Sequence, residues 1–109
     1  MVFILPRKKG IRKAAVPIAL AQGPTQGQYW EDGPQLNGWG AVVGKYPDGT
    51  SAVAEGTFGS GWVILTAVHP EAPENWRRGM SFKTPASTDN DYASTLIWSA
   101  LKGESLPHY

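Results

Sequence analysis

The sequence predicts one small α/β domain, and three observations carry that prediction. Short β-like runs between residues 39 and 68 are joined by tight turns. The most apolar run, Trp62–Val68, ends at His69-Pro70-Glu71. An amphipathic helix closes the chain. At 109 residues there is room for one domain and a modest core. An apolar fraction of 41 % with five Trp fits a folded chain, and the 13 Gly and 9 Pro favour short strands and turns.

The first fourteen residues form a basic arm, with Arg7, Lys8, Lys9, Arg12 and Lys13 and no acid before Glu31. The remainder is mildly acidic and the formal charge is +1, so general attraction to nucleic acid is not expected. The arm followed by AAVPIALAQG has the outline of a signal peptide with an Ala19-Leu20-Ala21 cut. Its apolar stretch is short and holds Pro17. A flexible arm in a cytoplasmic protein is the plainer expectation. No apolar run is long enough to cross a bilayer as a helix, and no membrane partner is expected.

Pro17 argues against a central strand at 15–20, and AQGPTQGQ (21–28) reads as a loop by composition. Tyr29-Trp30 lead into a turn at 31–34. WGAVVGKY (39–46) runs into Pro47-Asp48-Gly49-Thr50, a strong turn signal. SAVAEGTF (51–58) and the Gly59-Ser60-Gly61 turn follow, giving an antiparallel meander. The unbroken apolarity of Trp62–Val68 predicts a strand buried on both faces. The polar connection after it is long enough to predict a short helix near 74–78 or a functional loop. Thr88-x-x-Asp91 predicts a capped helix start, with Asp89 and Asp91 favourable to the helix dipole. Tyr92, Ala93, Leu96, Ile97, Ala100 and Leu101 share one helical face, and Lys102-Gly103 supply the stop.

The chemistry-bearing residues are His69 and Glu71. A neutral imidazole takes a proton from a nucleophile, and a neighbouring carboxylate fixes its tautomer. Pro70 favours extended backbone at His69, which would aim both side chains to one side. The same three residues also suit an ordinary loop at a strand end. With no cysteine, disulfides, thiolate metal sites and a thiol nucleophile are excluded within these residues. His108 lies in the tail, and no second histidine stands at ligand spacing, so neither a metal nor another cofactor is expected. Tyr29, Trp30, Trp39, Trp62 and Trp76 suit a stacking platform or core packing. Arg77-Arg78 suit an anion contact near His69 or a solvated loop.

EGTFGSGWVILTAVHPEA resembles the closing signature of the class I glutamine amidotransferase-like superfamily. In that signature an aromatic-Gly-x-Gly turn (here Phe58-Gly59-Ser60-Gly61) leads into an apolar strand ending in His-Pro-Glu. YWEDGPQL (29–36) and the KYPDGTSAVAEGTFGSG hairpin are similar to the biotin-protein ligase N-terminal-like branch, as are Trp76 and the closing helix. The resemblance spans residues 15–103 and covers only the C-terminal half of the family domain. It implies part of a flavodoxin-like fold, with His69 as general base and Glu71 as its orienting carboxylate. The family nucleophile is a cysteine on a strand-to-helix elbow in the other half, which has no counterpart here; Ser60 has only a hairpin-turn context. The implied function is an amidotransferase or amidohydrolase site that is inactive alone. The alternative is a non-catalytic binding module on the same scaffold. The expected partner is the missing half, or a second copy through an exposed sheet; the small-molecule substrate is open.

Overall fold

A computed structural model describes residues 13–82 and 84–109. Strands β1 (Lys13–Leu20), β2 (Gln26–Glu31), β3 (Ala41–Lys45), β4 (Ser51–Phe58) and β5 (Gly61–Thr66) precede a 3-10 turn (Glu74–Arg77) and helix α1 (Ala86–Lys102). The strands form one antiparallel sheet in the order β2-β1-β3-β4-β5. The fold is therefore mixed α/β, a curled five-stranded antiparallel sheet with one C-terminal helix. The basic arm lies outside the described residues except for Lys13 and Ala14, which belong to β1.

The meander predicted at 39–68 is present. Asp48 and Gly49 turn the chain between β3 and β4: Gly49 has φ 88°, and the Thr50 amide donates to Asp48 Oδ1 at 2.9 Å. The Thr50 hydroxyl and amide together hold the Asp48 carboxyl below its ordinary range. Gly59 and Ser60 make the two-residue link between β4 and β5, with Phe58 opposite Gly61.

Three strand expectations are overturned, the first two in β1 and β2. Residues 15–20 do form a strand, β1, and it lies between β2 and β3. Pro17 is tolerated because β1 pairs with β3 only at Ala19 and Leu20; at Pro17 the strand is laddered on the β2 side alone, opposite Gly27. Residues 26–28, predicted as loop, belong to β2, where Gln26 and Gln28 are buried and Gln28 Nε2 donates to Gln26 Oε1 at 3.1 Å. Polar composition hid this strand because its two buried amides bond each other, although Gln28 Oε1 has no partner among the described residues.

The strand buried on both faces is β4, not β5. Ala52, Val53 and Ala54 are 0 % exposed, whereas β5 is an edge strand paired only with β4 among the described residues, and Leu65 is 40 % exposed. Small residues let the neighbouring loop lie close on β4. A Cβ on Gly56 would come within 3.2 Å of the Trp39 ring. The main core joins Val16, Ile18, Trp30, Val43, Val53, Val68 and Leu96.

Beyond β5 the chain crosses to the opposite edge of the sheet. The Ala67 amide donates to Ala52 O at 2.9 Å, and the His69 amide donates to Tyr29 O at 2.7 Å. Tyr29 and His69 form an isolated antiparallel bridge, so the sheet curls until its two ends meet at this seam. Gly33 is needed there: a Cβ would stand 1.9 Å from Ala67 O. Gly33→Ala is expected to lower stability by about 2–4 kcal/mol, read as a lower urea midpoint, because backbone must move on both sides of the contact.

Helix α1 begins at Ala86, two residues before the predicted cap, with Pro85 at the N-cap and no side-chain cap bond. Its end is as predicted: Gly103 is left-handed at φ 65°, and the Glu104 amide donates to Ser99 O at 3.1 Å. The buried face is Ala86, Asp89, Ala93, Leu96 and Ser99, while Ile97 and Leu101 are exposed at 59 % and 73 %. The apolar spacing gave the wrong rotation because a buried ion pair sets it. Asp89, 2 % exposed, bonds Arg77 of the 3-10 turn, and Thr84 Oγ1 donates to the second Asp89 oxygen at 2.7 Å. The tail then folds back over β3 and β4. Its Leu106 amide and Ser105 hydroxyl donate to the buried Glu55 carboxylate at 2.9 and 2.6 Å. Tyr109 fixes the end, its amide bonding Val42 O and its hydroxyl Ala19 O, both at 2.8 Å.

Candidate functional site

The seam that closes the sheet also carries the histidine. His69 leaves β5 three residues after Thr66 and is held in extended pairing with Tyr29. Pro70 and Glu71 do not continue that extension. The Ala72 amide donates to His69 O at 3.2 Å, so residues 69–72 make a tight turn with Pro at its second position. The turn, not an extended segment as expected, folds Glu71 back beside the imidazole.

His69 Nδ1 and Glu71 Oε2 are 2.8 Å apart. The two side chains are 40 % and 53 % exposed, so the pair is open to solvent from one side. A carboxylate at this distance accepts the Nδ1 proton and so favours the tautomer with a bare Nε2. No hydrogen bond reaches Nε2 among the described residues. The pair is thus arranged as a base and its orienting group.

Two aromatic rings frame the imidazole. Tyr29 meets it edge-on with centroids 5.9 Å apart, and Trp76 does so at 6.1 Å; Tyr29 and Trp76 are themselves 5.7 Å apart. Tyr29 is buried and its hydroxyl donates to Glu31 Oε1 at 2.6 Å. Burial, and then the hydrogen bond and charge of Glu31, push the Tyr29 hydroxyl up to about 12. Tyr92 is likewise pushed up to about 12, mainly by burial. Both phenols ionise near pH 10 once unfolded, so the stability they confer is intact below pH 10 and is lost as pH rises toward 12. The urea midpoint is expected to fall between pH 9.5 and 11.5 by this linkage, and less steeply in Tyr29→Phe.

Of the other residues singled out, Trp76 joins the site, while Trp30 is core, its indole N–H donating to Gly33 O at 2.9 Å. The five aromatics do not form one platform. Arg77 turns inward to Asp89 and is not an anion contact for His69. Ser60 sits in the β4–β5 turn, at the other end of β5. No hydroxyl bonds His69 among the described residues, and no group of three or more His, Cys, Asp or Glu is gathered for a metal. Two long-range pairings were not legible in the sequence. Tyr29 pairs with His69 across 40 positions, and Glu55 latches the tail across 50. Neither pairing leaves a local pattern, although a carboxylate within the small-residue run Ser51–Gly56 is the one signal for the latch.

No family model, curated protein or solved structure matches this chain.

Proposed function

We propose that the chain supplies the base half of a cysteine-dependent amidohydrolase or amidotransferase site of the glutamine amidotransferase-like type. A cysteine carried by a segment or chain outside these 109 residues attacks the amide carbon. His69 Nε2 takes the thiol proton and returns it to the departing ammonia, and Glu71 holds the ring through Nδ1. The observation that carries this reading is the 2.8 Å His69–Glu71 contact on an open turn, with Nε2 unbonded among the described residues. The resemblance across residues 15–103 supports it, as does the outer edge of β5, which pairs with no other described strand and offers backbone for a second half to join.

A non-catalytic binding module is the second reading. The observation that favours it is the ring cluster of Tyr29, His69 and Trp76, with no nucleophile bonded to the histidine among the described residues. Co-production with the coding segment directly upstream of Met1 separates the two. The enzymatic reading expects a stable assembly that hydrolyses glutamine and loses that activity in His69→Ala. An assembly without hydrolysis, or with hydrolysis indifferent to His69→Ala, supports the binding module instead.

A further inference from the structure

Away from the seam, the tail and α1 enclose a cleft of about 310 Å³ against β1 and β3. Its walls are largely apolar: Leu20, Pro24, Val43 and Leu106. Four polar side chains interrupt them, of which Gln22 and Thr95 are exposed. Tyr92 lines the cleft, and its hydroxyl is buried with no hydrogen-bond partner among the described residues. Gln26 lines it too, and its Oε1 is already taken by Gln28 Nε2, which leaves its amide N–H group as a donor. An unmet buried donor is costly, and a ligand acceptor removes that cost. The volume is about twice that of a cavity of roughly 150 Å³ that accepts benzene.

We propose that this cleft binds a small, neutral, mostly apolar molecule carrying one carbonyl oxygen, which accepts from Tyr92 and Gln26. Neutrality follows from the lining, which holds no charged side chain to pair with an ionised ligand. The phenol, pushed up to about 12, remains a donor throughout the neutral range. Leu106 forms a wall because Glu55 holds its amide, so a carboxylate outside the cleft shapes it. His69 does not line the cleft.

The test uses the intact chain and three probes of one shape: 4-phenyl-2-butanone, butylbenzene and 3-phenylpropionate. Amide chemical-shift titration is expected to show the ketone binding, with shifts centred on Val43 and Thr95, and the anion binding at least tenfold more weakly. Tyr92→Phe keeps the apolar walls and is expected to weaken the ketone by roughly tenfold, the value of one hydrogen bond, with butylbenzene unchanged. Thr95→Trp, on the exposed side of α1, is expected to block both neutral probes without disturbing the core. The proposal is overturned if the ketone does not bind at millimolar concentration, if the anion binds as well as the ketone, or if Tyr92→Phe leaves ketone affinity intact. Undiminished binding to Thr95→Trp also overturns it, since the probe would then sit elsewhere.

Discussion

Arg77→Met is expected to cost about 3–5 kcal/mol of folding stability at pH 7, the largest effect of any single substitution considered. The reason is the environment of its partner. Asp89 is 2 % exposed, and its carboxylate is met by the Arg77 guanidinium and the Thr84 hydroxyl. Arg77 Nη2 also bonds Gly27 O at 3.3 Å and Thr84 O at 3.2 Å, and its guanidinium lies 3.8 Å from the centre of the Phe82 ring. One side chain therefore ties the 3-10 turn, the approach to α1 and strand β2 together. Methionine fills the volume but leaves a buried charge unpaired.

Burial already pushes the Asp89 carboxyl up against the opposing pull of Thr84 and Arg77, and without Arg77 it must rise further. The variant's deficit should therefore shrink as pH falls and Asp89 takes up a proton, and grow as pH rises through the raised value. Arg77→Met combined with Asp89→Leu removes both charges and is expected to recover most of the loss. Urea unfolding of the three proteins at pH 5 and pH 7 measures this. An Arg77→Met midpoint equal to that of the parent chain at pH 7 would show that the pair does not anchor α1. For a domain whose total stability is of the order of 5–15 kcal/mol, the expected loss is enough to populate the unfolded state.

The second large effect concerns activity. In an assembly that supplies the cysteine, His69→Ala is expected to lower kcat for glutamine hydrolysis by about 10²–10⁴, the usual contribution of a positioned general base. Glu71→Gln should cost less, about tenfold to a hundredfold. Glutamine can still accept from Nδ1 but no longer stabilises the imidazolium that forms when Nε2 takes the proton. Both losses should appear in kcat with little change in KM, because neither residue is expected to hold the substrate. Far-UV spectra should be unchanged in both, since the His69 contribution to the seam is its backbone amide, which alanine retains.

The parts of this molecule legible in its sequence are those fixed by neighbouring residues. Asp48-Gly49 and Gly59-Ser60 set the two hairpins, Gly103 ends α1, and the short helix after Pro73 falls at Glu74–Arg77. The His69–Glu71 contact was legible too, although a turn and not an extended strand produces it. What stayed hidden depends on distant partners. Gln26 and Gln28 look like loop residues until their side chains are seen to bond each other inside β2. Asp89 looks like a helix-dipole acid until Arg77 meets it, and that pair rotates Ile97 and Leu101 outward. The apolarity of β5 predicted two-sided burial, yet small side chains on β4 allow the closer cover and take that position. The sheet closes through the backbone pairing of Tyr29 with His69, which no spacing rule anticipates.

That seam is where the proposed chemistry is tested most directly. The measurement is the rate at which iodoacetamide alkylates the supplied cysteine in the assembly at neutral pH, with wild-type and His69→Ala chains compared. A base that draws off the thiol proton raises the thiolate fraction, and the thiolate is the species that reacts. Alkylation at least tenfold faster with His69 present is the expected result. Equal rates in two equally well-formed assemblies would contradict the assignment of His69 as the base.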